Sequence, residues 1–318
     1  MSDVPFLEGV LAGRARPLAQ AISLVESNDP RAAELLAAIY PRTGGARIIG
    51  ITGSPGSGKS TLVAALTRHY RARQKRVGII AVDPTSPFTG GAILGDRIRM
   101  ADLYTDRNVF IRSMATRGFL GGLARATNDA VDVLDAAGFD IILVETVGVG
   151  QDEVEVVRTV QTNLVVLVPG MGDDIQAIKA GIMEIGDIFV VNKADRPGAD
   201  KTVTEVTMMM SLVEEHAEWV PPIVKTVASK GDGIRELDEA VAKHDEYLRT
   251  SGELDRRNRD RVRIRIETQL KEGFMDRLIG GTIGRDDYET LLEDVLRKRN
   301  NPHDAANGVL NRVRFTTK

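Results

Sequence analysis

A glycine-rich stretch between an apolar run and a helical pattern narrows the possible folds more than any other part of the sequence. The run RIIGIT, residues 47–52, has the composition of a buried strand, and TLVAALTRHY, residues 61–70, has the pattern of a helix. Between them, residues 53–60 read GSPGSGKS and fit the pattern G-x-x-x-x-G-K-[ST]. A strand, this kind of turn and a helix, in that order, are typical of α/β domains that bind phosphate.

The chemistry of this stretch predicts a phosphate cradle. Glycines allow backbone N–H groups to turn inward and to approach phosphate oxygens, and the helix N-terminus adds a favourable dipole. The Lys59 side chain can reach β- and γ-phosphates, and the Ser60 hydroxyl can bind Mg²⁺. The alternatives are a flexible turn or a chance match, and the flanking strand and helix make both less favourable. The predicted nucleotide contacts are Gly53, Ser54, Pro55, Gly56, Ser57, Gly58, Lys59, Ser60 and Thr61.

Short apolar runs alternate with helical patterns along most of the chain. After the first run come VGIIAVD (77–83), VFIRSM (109–114), DIILVET (140–146), LVVLVP (164–169), DIFVVN (187–192) and PIVKTVA (222–228). Nearly continuous Val, Ile and Leu suit strands that are buried on both faces of a parallel sheet. The helical patterns between them favour crossover helices. We therefore predict an α/β fold of the P-loop NTPase kind, with a mostly parallel, doubly wound sheet.

The region of alternating strands and helices is flanked by segments that differ from it in composition and hydrophobic pattern. The sequence therefore predicts a chain of three segments. Residues 1–45 carry amphipathic helical patterns and form an N-terminal helical extension, and residues 46–248 form the α/β domain. Residues 249–318 are rich in charge and in helix formers, so we predict a helical C-terminal arm. Six arginines between Arg256 and Arg265 are expected either on a solvated helix face or in a docking surface.

Composition excludes several classes of protein. The net charge is −3, from 42 basic and 45 acidic residues, so there is no broad basic field to attract nucleic acid. The chain has no cysteine, which excludes disulfides, thiol catalysis and cysteine metal sites, and its four histidines are scattered. The sequence shows neither the pattern of a signal peptide nor a run of about 18 apolar residues. We expect a cytoplasmic protein without a nucleic-acid or membrane partner.

The motif VVNKAD indicates which base the site would select. Asn192, Lys193 and Asp195 form N-K-x-D after a strand-like run. A carboxylate can accept two hydrogen bonds from the N1–H and 2-amino group of guanine, whereas adenine offers no such pair of donors. The alternative is an ordinary strand-to-helix turn. A weaker candidate, for backbone N–H contacts to the guanine O6, is the loop of Val227, Ala228 and Ser229.

Acidic residues that follow strands predict a Mg²⁺ site, because ligands of such folds bind beyond the carboxyl ends of the strands. Asp83 begins DPTSP, Asp96 lies in GGAILGDRIRM, and Glu145 lies in VETVGVGQDEVE. Together with Ser60 they are the predicted metal ligands. Each acid taken alone could instead be a buried cap or a surface charge.

Hydrolysis is expected to be slow unless a partner completes the site. In ETVGVG, Gly148 would offer its N–H to the γ-phosphate, but no glutamine follows it directly; Gln151 is three residues further on. Arg99 and Lys179 are candidate cations for the charge that develops in the transition state. The alternative for both is a surface ion pair.

Six motifs in order resemble the methylmalonyl-CoA mutase-associated GTPase family. They are GITGSPGSGKST, VDPTSP, GGAILGDRIRM, VETVGVGQDEVEV, LVPGMGDDIQAIKAGIMEI and VVNKAD. The resemblance implies a GTPase of the signal-recognition and MinD-like class that uses GTP, GDP and Mg²⁺. It also implies a homodimer that acts as chaperone of an adenosylcobalamin-dependent acyl-CoA mutase. Residues 170–181 fall where the family has an extra switch loop, which favours a role for Asp174 and Lys179. With the residues selected above, the predicted catalytic residues are Lys59, Arg99, Glu145, Gly148, Asp174 and Lys179.

Two other functions stay open at this point. Nickel-insertion GTPases share this class of phosphate loop, but they usually carry Cys and His metal sites, which this sequence lacks. A transport-linked kinase or ATPase is disfavoured by N-K-x-D, because that motif reads guanine rather than adenine.

Overall fold

The computed structural model describes residues 6–83, 102–115, 122–146, 160–170, 185–211 and 218–311. The chain is divided into two compact units, Met1–Asn258 and Arg259–Lys318.

The first unit contains a seven-stranded sheet in the order β3-β2-β4-β1-β5-β6-β7. The strands are β1 Arg47–Gly53, β2 Val77–Asp83, β3 Val109–Ala115, β4 Ile141–Thr146, β5 Thr162–Leu167, β6 Ile188–Asn192 and β7 Ile223–Thr226. Every neighbouring pair in this order is parallel. All residues of β4, β5 and β6 are buried, as the continuous apolar runs predicted. The predicted α/β fold with a parallel sheet is confirmed.

Helices cover both faces of this sheet, and hydrophobic clusters lie on each face. Helix α4 is Lys59–Ala72, α5 is Gly122–Ala136, α6 is Ala199–Met210 and α7 is Ile234–Thr250. Ile48 and Ile49 follow one another in β1, yet they belong to different cores, because side chains alternate across a strand. The core that contains Ile49 includes α4 and α7, and the core that contains Ile48 includes α5.

The N-terminal segment forms three helices: α1 Leu7–Leu11, α2 Ala15–Glu26 and α3 Pro30–Ile39. Their apolar faces pack into the core around α5. Asp135 of α5 accepts hydrogen bonds from the backbone N–H groups of Gly44, Gly45 and Ala46, at 2.6, 3.0 and 2.8 Å. This one carboxylate satisfies three adjacent donors and fixes the entry of the chain into β1.

A buried cluster of charged and aromatic side chains lies at the amino end of β6. We call it the Asp187 cluster, after the residue that precedes the strand. The Arg257 guanidinium donates to both carboxylate oxygens, at 2.9 and 3.1 Å, and the Asn163 backbone N–H donates to one of them at 2.8 Å. The Nε2 atom of His244 lies 3.3 Å from the carboxylate, and the Trp219 indole N–H donates to the Asp187 carbonyl at 2.9 Å.

The ionisation of Asp187 reflects these contacts. Burial alone raises the pKa of its carboxyl, but the contacts with His244 and Arg257 outweigh burial, and the pKa lies below its ordinary value. The arginines between Arg256 and Arg265 were expected on a solvated helix face or in a docking surface. Arg257 fits neither expectation, because its guanidinium contacts Asp187.

Helix α8 is Glu253–Arg277, and the chain continues through a π-helical turn, Leu278–Ile283, into α9 Arg285–Leu296 and α10 Pro302–Leu310. Leu278, Ile283 and Val309 form a small core of the second unit. Several apolar side chains of α8 are exposed: Val262, Ile264, Ile266, Leu270, Phe274 and Met275. Among the described helices, none combines the length and the apolar character that a membrane crossing requires.

Candidate nucleotide site

The phosphate loop connects the end of β1 to the start of α4 and requires glycine at two positions. Gly53 has φ +143°, and a Cβ there would lie 2.2 Å from the Val166 carbonyl oxygen. Gly58 has φ +93°, and a Cβ there would lie 2.4 Å from the Asn192 side-chain nitrogen. No other residue fits either position without displacing its neighbour. The conformation of the loop therefore requires Gly53 and Gly58, the two glycines of the sequence pattern.

Lys59, the first residue of α4, has its ammonium inside the loop. The residue is 6% exposed, and Nζ donates to the carbonyl oxygens of Gly53 and Ser54 at 2.7 and 3.1 Å. A buried ammonium needs acceptors, and these two carbonyls belong to the loop itself. A phosphate oxygen placed in the loop would offer the ammonium a charged acceptor instead, which makes a stronger hydrogen bond than a carbonyl.

Ser60 and Glu145 were predicted to share a Mg²⁺ ion, and the fold brings them together. Glu145 lies near the end of β4, which pairs with β1 and places Ile51 beside Glu145. The Ser60 hydroxyl donates to the Glu145 Oε1 atom at 2.7 Å, and the carboxylate is buried. A hydroxyl and a buried carboxylate are hard oxygen donors of the kind Mg²⁺ prefers, so the residues present fit this ion.

The other predicted metal ligands are described less fully. Asp83 is the last residue of β2, whose neighbour in the sheet is β4, so its backbone lies at the same edge as Glu145. Asp96 lies outside the described residues. Within the part of the chain that is described, no three acidic or histidine side chains converge on one point.

Asn192 joins three segments of the site. It ends β6, and its side-chain amide donates to the Ser57 carbonyl at 2.9 Å. Its Oδ1 atom accepts from the Thr226 hydroxyl at 3.1 Å and from the Ala228 backbone N–H at 3.2 Å. The phosphate loop, the N-K-x-D turn and the loop after β7 are thus fixed to one amide. Thr226 was not among the predicted residues, since a threonine at a strand end carries no distinctive signal.

Lys193 and Asp195 continue the turn after Asn192. Lys193 has φ +55°, an unusual conformation for a residue with a side chain, and its ammonium donates to the Gly56 carbonyl at 2.7 Å. The Asp195 carboxylate is 45% exposed and forms an ion pair with Lys230, at 3.3 Å. Lys230 was not among the predicted residues, because no motif distinguishes this lysine, which lies in a short turn beyond Val227, Ala228 and Ser229.

Five of the predicted catalytic and metal residues lie outside the described part of the chain: Asp96, Arg99, Gly148, Asp174 and Lys179. Their roles stay predictions. The described residues bring together the phosphate loop, the Ser60–Glu145 pair and the N-K-x-D turn at the carboxyl edge of one parallel sheet.

A parallel sheet that carries this loop and this turn at its carboxyl edge defines the class of P-loop GTPases. The family model described as "Methylmalonyl Co-A mutase-associated GTPase MeaB" matches residues 18–282. The chain belongs to this family, and it is a GTPase.

Curated relatives agree with this assignment. A putative GTPase of Pyrococcus horikoshii is 49% identical over 310 residues, which cover 96% of this chain and 97% of that protein. The GTPase ArgK of Escherichia coli is 38% identical, over 84% of this chain and 83% of that protein. The mitochondrial methylmalonic aciduria type A homolog of Mus musculus is 33% identical, over 84% of this chain and 69% of that protein.

A solved structure described as an LAO/AO transport system kinase is similar over nearly the whole chain. The TM-score is 0.71 with 27% sequence identity, and the alignment covers 98% of each chain.

Proposed function

We propose that this protein is a GTP-hydrolysing chaperone of an adenosylcobalamin-dependent acyl-CoA mutase, methylmalonyl-CoA mutase or a close relative. In this role it gates the loading of the cofactor and protects or reactivates the mutase. The observation that carries the proposal is the match of the mutase-associated GTPase family over residues 18–282. The geometry of the described site supports the nucleotide part, because phosphate and base elements are fixed to one another through Asn192.

Each described element has a role in this proposal. The loop from Gly53 to Thr61 holds the phosphates of GTP or GDP, and the Lys59 ammonium neutralises charge on them. Asp195 reads the guanine, while Val227, Ala228 and Ser229 offer backbone N–H groups beside it. Mg²⁺, when bound, supplies positive charge to the β- and γ-phosphates, and Ser60 and Glu145 would hold it together with Asp83 and Asp96.

The remaining predicted residues complete the proposal. Gly148 would contact the γ-phosphate, and Arg99, Asp174 and Lys179 would act in hydrolysis. We further propose a cytoplasmic homodimer in which residues 249–318 form the dimerisation arm. Support for the dimer comes from the apolar side chains that α8 exposes, among them Ile266 and Leu270.

The test is GTP hydrolysis by the purified protein, alone and with each adenosylcobalamin-dependent acyl-CoA mutase of the same organism. One mutase should raise the rate at least about tenfold, because a partner that completes a GTPase site can supply much larger factors. Each mutase assayed without the GTPase is the control. If no mutase changes the rate while GTP is still hydrolysed, the chaperone role is wrong and the GTPase activity stands.

The two other functions remain distinguishable by binding. Tight, stoichiometric Ni²⁺ binding would favour a nickel-insertion GTPase, although the chain offers no cysteine as ligand. A preference for ATP over GTP would favour a transport-linked kinase or ATPase; the similar solved structure is described as a transport system kinase.

Replacing Asp195 with asparagine should weaken GTP binding at least about tenfold, because an amide cannot accept hydrogen bonds from both guanine donors. The amide N–H group can donate to the 2-oxo group of xanthine, so binding of xanthosine triphosphate should improve. Competition between the two nucleotides for the purified variant measures the change. An unchanged ratio of the two affinities would remove Asp195 from base recognition.

A further inference from the structure

The ion pair between Lys230 and Asp195 joins the base-reading carboxylate to a second loop. Lys230 lies in a tight turn whose backbone is closed by hydrogen bonds at both ends. The N–H groups of Lys230 and Gly231 donate to the Val227 carbonyl at 2.8 and 3.1 Å, and the Val227 N–H donates to the Asp232 carbonyl at 3.0 Å. The position of the Lys230 backbone is therefore fixed by the turn.

The same turn is attached to the N-K-x-D segment. Thr226, directly before the turn, and Ala228, within it, both donate to the side chain of Asn192. The Ala194 N–H also donates to the Thr226 carbonyl, at 3.0 Å. Both partners of the ion pair thus extend from one hydrogen-bonded frame, which places the two side chains within reach of one another.

We propose that Lys230 is a positioning residue for guanine recognition. Its ammonium holds the Asp195 carboxylate in the orientation in which both oxygens can accept from the N1–H and 2-amino group of guanine. The inference rests on the proposed role of Asp195. Each carboxylate oxygen has two lone pairs, so the oxygen that accepts from Lys230 keeps one for guanine.

The physical reason is preorganisation. The Asp195 side chain is 45% exposed and would otherwise rotate freely, so that binding of the base would have to restrict it. An ion pair that already restricts the rotation lowers this cost. The effect should be specific to ligands that use both oxygens, whereas simple attraction between Lys230 and phosphates would favour every nucleotide equally.

The experiment compares the dissociation constants of GDP and inosine diphosphate, because inosine lacks the 2-amino group. In the Lys230→Met variant, the preference for GDP over inosine diphosphate should fall roughly two- to fivefold, the range expected for an exposed ion pair. Lys230→Arg should restore the preference.

Lys225→Met is the matched control. Lys225 lies in β7, the strand that precedes the turn. It carries the same charge as Lys230 and pairs with the exposed Asp200 at 3.0 Å. The control should keep the wild-type preference for GDP. An unchanged preference in Lys230→Met, or an equal loss in the control, would overturn the inference. If the wild-type protein already binds both nucleotides equally, then the assignment of Asp195 to the base is wrong, and the inference falls with it.

Discussion

Replacing Lys59 with alanine should lower kcat/KM for GTP by about 10³-fold, the upper range for removing one charge-stabilising donor from an active site. The ammonium is held inside the phosphate loop by two of its carbonyls, at 2.7 and 3.1 Å. In the proposed site, this is where the β- and γ-phosphates would bind and where their charge would have to be neutralised. Steady-state hydrolysis of GTP, measured with equilibrium binding of GDP and GTP, provides the comparison.

Two controls separate this effect from damage to the fold. The variant leaves the Gly53 and Ser54 carbonyls without their charged donor, so its thermal unfolding must be recorded beside the activity. Lys201→Ala removes a lysine of the same charge that is 80% exposed and pairs with Glu205 on the same helix. It should keep wild-type turnover. Hydrolysis at the wild-type rate by folded Lys59→Ala would refute the assignment of the loop.

Replacing Asp187 with alanine should lower the free energy of unfolding by about 3 kcal/mol, because it leaves the partly buried Arg257 guanidinium without the buried carboxylate that it contacts. Arg257 would lose both carboxylate contacts, and the Asn163 N–H would lose its acceptor. Arg257 keeps its contact with Glu253, which limits the loss. Urea denaturation of the variant and the wild-type protein measures the difference.

The pH dependence of this difference gives an independent check. The folded pKa of Asp187 lies below its ordinary value of 3.8, so the carboxylate stabilises the fold fully above that value. This contribution is lost as the pH falls through the lower, folded pKa. The deficit of Asp187→Ala should therefore be largest above about pH 4 and should shrink in acid. Asp200→Ala, at an exposed carboxylate, should show a small deficit at every pH. A small deficit for Asp187→Ala at neutral pH would contradict the prediction.

The parts of the fold that follow from local pattern could be predicted from the sequence. Continuous apolar runs predicted buried parallel strands, and GSPGSGKS predicted a turn that glycine alone can form. The meeting of Ser60 and Glu145 could also be expected, because the carboxyl ends of neighbouring parallel strands share one edge. These features depend on the hydrophobic periodicity and composition of short segments, and both can be read directly from a single sequence.

Contacts between distant segments could not be predicted in the same way. Arg257 is one of six closely spaced arginines, and nothing in that run distinguishes the one that contacts Asp187, 70 residues earlier. Lys230 likewise reaches Asp195 only because β6 and β7 are neighbours and the turn after β7 is closed. The charge pattern of a sequence shows that a residue is able to form an ion pair. Which partner it contacts is determined by the order of strands in the sheet, because that order decides which loops are neighbours.

The central position of β1 in the sheet also determines how early in its synthesis the protein could bind GTP. β1 pairs with β4 and β5, so a ribosome must add residues as far as Leu167 before both neighbours exist. Asn192 and its acceptor contact with the Ala228 N–H come later still. During synthesis, β1 therefore lacks one or both of its neighbours from residue 53 to residue 167, about a third of translation, and an apolar strand without its partners is prone to aggregate in this period. Since the proposed phosphate and base contacts need these later segments, we expect GTP to bind only after the α/β unit is nearly complete, as a ligand of the finished domain rather than an aid to its early folding.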